Sequence, residues 1–202
     1  MKKHSLLIQQ ESLIEKEIKR IKKEQELETY PNYFSMPIGI QLELTSNCNL
    51  YCKHCYNSSG GKQAKDKMNI DSWLSLITDI NMHGGIFQCI ISGGEPLLLG
   101  DNLYKIMDPL HENGTGFILI TNGMLVNRSV VRNLQKYKYY WLQVSIDDAL
   151  PTQHDLFRGV TGSWDKATEA AFLISSAGLP LRIAHTVMPE NIERLQDIFS
   201  FV

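Results

Sequence analysis

The 202-residue sequence contains no apolar run near the roughly 20 residues that a membrane-spanning helix requires, so no membrane partner is expected. After Met1-Lys2-Lys3-His4 only Leu6-Leu7-Ile8 is apolar before polar residues return, too short a core for a secretory signal. Neither sign of charge dominates: 20 Lys and Arg against 22 Asp and Glu leave a formal charge of −2. No basic excess therefore points to nucleic acid. Cysteine is scarce as well. There are four, three of them crowded between positions 48 and 55, and none follows Cys89. That is not the layout of a disulfide framework, and clustered thiols suit a reducing compartment, so a cytoplasmic globular protein is expected. The length suits one domain with a sizeable core, and 43% hydrophobic residues can fill it.

Residues 2–28 contain neither Gly nor Pro. Within them Leu6, Leu7, Leu13, Ile14, Ile18, Ile21 and Leu27 recur at helical spacing among charged residues. The pattern predicts an amphipathic helix that packs on the domain or offers a docking surface for a partner or peptide. Tyr30-Pro31 and Met36-Pro37 break it, so residues 1–37 read as an N-terminal helical extension and 38–202 as the core domain. From there strand and helix patterns alternate. Strands are predicted at 38–44, 86–91, 117–120, 140–146 and 181–187. Helices are predicted at 71–83 (begun by Asp71, stopped by Gly84-Gly85), 102–112, 128–136, 163–177 and 192–199. Such repeats with right-handed crossovers predict an α/β fold, a partial parallel (β/α) barrel of about five to six units.

The residues with chemical potential all follow predicted strands, on the rim where barrels of this kind carry their sites. Cys48-Asn49-Leu50-Tyr51-Cys52-Lys53-His54-Cys55 follows the first strand in the spacing C-x3-C-x2-C, with Tyr56 next. Three thiolates are one too few for closed structural zinc, and His54 is a strained fourth ligand because it adjoins Cys55. A 4Fe–4S cluster on three cysteines keeps one iron open, and chemistry can occur there. Ser92-Gly93-Gly94-Glu95-Pro96 follows the second strand, its glycines allowing the backbone to approach a ligand closely. Thr121-Asn122-Gly123 follows the third with the turn chemistry of Asn-Gly. Ser145 and Asp147 end the fourth on one face while Ile146 faces the other way; a solvated carboxylate pair at Asp147-Asp148 is the competing reading. His154-Asp155-Leu156-Phe157-Arg158-Gly159 comes next. His185 and Thr186, near the end of strand five, read as core or satisfied residues, and Cys89 as a buried thiol packing as a small hydrophobe.

C-x3-C-x-aromatic-C after a first strand, with Gly-Gly-Glu after the second, resembles the radical S-adenosylmethionine (radical SAM) superfamily over roughly Ile38 to the C-terminus. The His154–Gly159 string is similar to that of its peptide-modifying, SPASM-type maturases. The resemblance implies two cofactors, a 4Fe–4S cluster on Cys48, Cys52 and Cys55 and SAM chelated at the open iron. Reduction then cleaves SAM to methionine and a 5′-deoxyadenosyl radical. SAM contacts are implied at His54 (the adenine, mostly through backbone), at Gly93, Gly94 and Glu95 (the amino group), at Asn122 and at Ser145 (carboxylate or ribose). Asp147 is implied to order the rim. Arg158 is left with three roles: pairing with the SAM carboxylate, capping a helix or neutralising Asp147. A ribosomally made peptide is the implied substrate, with oxidoreductase or epimerase-type chemistry. An external one-electron donor such as flavodoxin or ferredoxin is implied, because no second cluster site is encoded. Family barrels continue to a sixth strand, whereas this sequence stops after the fifth strand and its helix. It therefore reads as a fragment, a naturally short member or a protein that has lost turnover. The alternative is a truncated, non-catalytic protein that uses a cluster or zinc to hold a peptide or protein partner.

Overall fold

The computed structural model describes residues 36–60 and 66–201, together with 19, 20, 22, 23 and 26. Those last five are helical; the rest of the predicted N-terminal helix lies outside the described residues. The chain divides into two units, Met1–Ser35 and Met36–Val202, and the second carries the sheet.

Five strands form one parallel sheet in sequence order: β1 (Gly39–Glu43), β2 (Gln88–Ser92), β3 (Gly116–Thr121), β4 (Tyr139–Ser145) and β5 (Leu181–Ala184). Parallel neighbours need a crossover between them. Here α1 (Ile70–Met82), α2 (Asp101–Glu112), α3 (Arg128–Leu134), α4 (Pro151–Arg158) and α5 (Ser163–Ser176) make those crossovers, and α6 (Leu195–Phe201) follows β5. This is the α/β arrangement the alternation predicts, five units of a partial barrel. No described helix is long and apolar enough to cross a membrane.

Side-chain alternation divides the sheet into two unlike faces. Cys89, Ile91, Phe117, Leu119, Leu142 and Val144 are fully buried on the helix side, against Ile77, Leu103, Ile106, Leu110 and Ile174. Cys89 is thus the packed thiol its apolar strand predicts. The opposite face carries Gln41, Glu43, Ser92, Ile120 and Gln143, in register across β1–β4, and a cavity of about 610 Å³ opens there.

Several boundaries move. Asn69, rather than Asp71, caps α1: its Oδ1 accepts from the Ser72 N–H at 2.9 Å, while Asp71 sits in the first turn where its charge suits the helix dipole. β5 ends at Ala184 rather than 187, because the Thr186 N–H turns to the Asp147 carboxylate. α3 stops at Leu134, and the predicted last helix divides into a 3-10 turn (Ile192–Arg194) and α6. Two elements have no counterpart in the sequence pattern, the 3-10 turn Pro96–Leu99 and α4.

Candidate functional site

The chain leaves β1 into the loop that carries Cys48, Cys52 and Cys55, all half-buried and free. Asp66 pins the root of this loop. Its carboxylate accepts from the Thr45 hydroxyl (2.7 Å), the Ser46 N–H (2.9 Å) and hydroxyl (3.0 Å), and Asn47 Nδ2 (3.2 Å). Burial pushes that carboxyl up, but the donors outweigh it and hold the group below the usual range. The root then lies against the end of β2, where the Gly94 N–H donates to Thr45 O at 2.6 Å and the Glu95 N–H to Asn47 O at 2.9 Å. A Cβ on Gly94 would stand 2.1 Å from Asn47 O; on Gly93, at φ +136°, it would stand 2.4 Å from Thr45 O. The glycines therefore permit a close approach, but what they approach here is the backbone of the cysteine loop, whereas their sequence predicts approach to a ligand.

Glu95 is fully buried. Its Oε1 accepts from the Leu97 N–H (3.1 Å) and the Thr121 hydroxyl (2.8 Å), and Oε2 from the Asn122 N–H (2.8 Å). Burial pushes its pKa up to about 7 against the pull of these donors. The carboxylate thus fastens β2 to the end of β3, while Ser92 and Gly93 line the cavity. Asn122 continues the chain of contacts, its Nδ2 donating to Asn49 Oδ1 at 2.8 Å and lying 3.7 Å from Cys48 Sγ.

The C-terminal end of α4 grips the other side of the loop. Arg158 O accepts from the Tyr51 N–H and Phe157 O from the Lys53 N–H, each at 3.0 Å, so both neighbours of Cys52 are anchored. Arg158 Nη1 reaches Cys52 Sγ at 3.6 Å. Its Nε stands 2.6 Å from Asp147 Oδ2, an ion pair rather than a well-directed hydrogen bond. His54 stacks on Phe157 with ring centroids 4.6 Å apart, and its Nε2 is 3.8 Å from Asp147 Oδ2; burial holds its pKa low. Asp147 Oδ1 accepts from the Thr186 N–H at 2.9 Å, and its own N–H donates to His154 Nδ1 at 3.1 Å. His154 is therefore neutral with its proton on Nε2, and burial takes its pKa down to about 4.

Of the roles open to Arg158, the one visible is neutralising Asp147. The solvated reading of Asp147-Asp148 is incorrect: they are 1% and 3% exposed, each claimed by an arginine, with Arg194 Nε 3.1 Å from Asp148 Oδ2. Ser145, half-buried, shares the cavity-side row with Gln143. The sequence did not single out Asn57 or Asp66, and it gave Phe157, inside the His154–Gly159 string, no role of its own. The Cys55 thiol donates to Asn57 Oδ1 at 3.0 Å, and Asn57 Nδ2 donates to Gly93 O at 3.2 Å. A usable signal existed for α4: Pro151 in its first turn and Gly159 at φ 73° just past its end are the punctuation of a short helix.

The donor set fits a cluster better than a single ion. Burial pushes the Cys48 and Cys52 thiols up, and each also feels the charge of the next sulfur along the loop. Metal binding answers such a shift by removing the protons. Among the described residues, no three His, Cys, Asp or Glu side chains converge tightly enough to grip one ion. A cubane needs a wider spread, because each thiolate serves a different iron.

The chain is 30% identical over 83% of its length to the antilisterial bacteriocin subtilosin biosynthesis protein AlbA of Bacillus subtilis, and spans 37% of that protein. It is 32% identical over 81% of its length to an AdoMet-dependent heme synthase of Methanosarcina barkeri, spanning 46% of it. In fold it is similar to Streptococcus suis SuiB bound to the precursor peptide SuiA, with a TM-score of 0.69 at 20% identity, covering 93% of this chain and 40% of that one. The chain thus spans less than half the length of these relatives. Residues 42–202 match the Radical SAM superfamily, and the chain belongs to it.

Proposed function

We propose that this chain holds a 4Fe–4S cluster on Cys48, Cys52 and Cys55, binds SAM beside it, and serves an enzyme that modifies a ribosomally made peptide. The observation that carries the reading is a loop of three half-buried free thiols, anchored on both sides, beside a cavity of about 610 Å³. That volume lies within the range usual for small-ligand sites. When bound, the cluster supplies the electron that splits SAM into methionine and a 5′-deoxyadenosyl radical. The protein's part is placement. Gly93 and Gly94 present backbone to the SAM amino group, and Glu95 fixes their turn from behind. His54 meets the adenine through its backbone, held in place by its stack on Phe157. Asn122 shapes the pocket beside Cys48, Ser145 meets the carboxylate or ribose, and Asp147 with Arg158 orders the rim. The setting is cytoplasmic, and an external flavodoxin or ferredoxin supplies electrons.

The peptide substrate is supported by the likeness to AlbA and to SuiB with its precursor peptide. A tetrapyrrole substrate is the second reading, favoured by the heme synthase likeness. Anaerobic reconstitution of the whole protein with iron and sulfide, followed by dithionite and SAM, is expected to yield 5′-deoxyadenosine. Mass spectrometry of a co-expressed precursor peptide then separates the substrates, since an unaltered peptide favours the tetrapyrrole. Stable zinc with no SAM cleavage would instead support a non-catalytic binding protein.

A further inference from the structure

The three cluster thiols do not have equivalent neighbours. Cys48 and Cys55 face neutral amides, Asn122 Nδ2 at 3.7 Å and Asn57 Oδ1 at 3.0 Å, whereas Cys52 faces the Arg158 guanidinium at 3.6 Å. Arg158 is not a mobile surface cation. It is 7% exposed, its Nε is held by the 1%-exposed Asp147, and its own carbonyl and that of Phe157 grip the N–H groups on either side of Cys52. The same few residues therefore fix both the guanidinium and the sulfur it faces. Gly159 completes the fit, since a Cβ there would stand 2.7 Å from Tyr51 O.

Reduction adds negative charge to a cluster, and donors or cations at its sulfurs favour the reduced state. We infer that Arg158 is a positioning residue that raises the reduction potential of the cluster by donating to the Cys52 thiolate, and that Asp147 is the counter-charge limiting the rise. The inference rests on the cluster reading above and extends it. It concerns the cluster before SAM arrives, so it is separable from any contact of Arg158 with SAM.

The test is a dye-mediated reductive titration of the reconstituted whole protein without SAM, following the EPR signal of the one-electron-reduced cluster. Iron and sulfide content are measured on each sample. Arg158→Gln is expected to leave at least tenfold less reduced cluster, relative to oxidised, at a fixed potential, a shift of about 59 mV or more to the negative for a one-electron couple. Arg158→Lys keeps the charge but loses the fork, so it should fall between wild type and Arg158→Gln. Asp147→Asn removes the counter-charge and should move the potential the opposite way, to the positive. These opposed signs are the signature; a general loosening of the loop would not produce them. If Arg158→Gln takes up no iron, Arg158→Lys and Asp147→Asn decide the sign alone. Unchanged potentials in variants that hold the cluster overturn the inference and leave the proposed function standing. A wild type that takes up no iron overturns both.

Discussion

The cysteine loop is held on two sides by unlike means. Toward β2 the contact is backbone on backbone, with Gly93 and Gly94 pressed onto Thr45–Asn47 and the buried Glu95 locking the turn to β3. Toward α4, side chains share the work: an ion pair, a ring stack, a cation against a sulfur and two carbonyls. The first side leaves no room for adjustment and sets where the loop begins. The second surrounds Cys52 with side chains that can be varied without moving the strand.

The largest expected effect comes from removing a thiol. Cys52→Ala should abolish iron uptake on reconstitution, whereas Cys89→Ala, buried in β2 away from the loop, should keep its iron and lose about 1 kcal/mol of stability. Retained iron in the first or lost iron in the second would undo the ligand assignment. Next comes the contrast between the two sides. Gly94→Ala places a Cβ 2.1 Å from Asn47 O, where backbone must move, and should cost more than about 4 kcal/mol in denaturant unfolding. Gly159→Ala, strained at φ +73° and 2.7 Å from Tyr51 O, should cost about 1–3 kcal/mol. Equal losses would erase the distinction between a rigid and an adjustable side.

Acidity sharpens the same comparison, because each side contains a buried group whose pKa burial carries far from its ordinary value. Glu95 has its pKa raised from 4.5 to about 7, so its contribution to stability is whole below 4.5 and fades as pH rises through about 7. His154 has its pKa lowered from 6.5 to about 4, so its contribution is whole above 6.5 and fades as pH falls toward about 4. Each is worth about 3 kcal/mol over its range, and between pH 4.5 and 6.5 the two slopes oppose each other. Between pH 4.5 and 6.5, above the range where the depressed carboxyls of Asp66, Asp148 and Asp155 titrate, urea midpoints should show Glu95→Gln losing stability on acidification and His154→Asn losing it as pH rises. The same slope in both variants would contradict the assignment. The smallest effect belongs to the ring stack: Phe157→Leu should cost about 1 kcal/mol and leave iron uptake intact, as read by thermal unfolding and iron content.

The parts of this arrangement that were legible in the sequence are those with local causes. Apolar strands ending in Gly-Gly, Asn-Gly and a cysteine triad needed only neighbouring residues to identify them, and the parallel order followed from alternation. The α4 side was illegible because its causes are distant. Asp147 is buried by Arg158 and by the Thr186 N–H, and Asp148 by Arg194, none of which is near in sequence. Eight residues containing Gln153, His154 and Asp155 give too short and polar a pattern to announce a helix, and only Pro151 and Gly159 mark its ends. Asp66 is equally silent, since its partners lie around position 46. Glu95 was legible as a residue that matters but not in its direction, which is set by donors at 97, 121 and 122.

The central claim is that three thiolates on one anchored loop leave one iron of a cubane without a protein ligand. Mössbauer spectroscopy of the iron-57-reconstituted whole protein, with and without SAM, addresses it directly. The account predicts that adding SAM shifts one iron away from the other three; a spectrum unchanged by SAM, or a protein that takes up no iron, contradicts it.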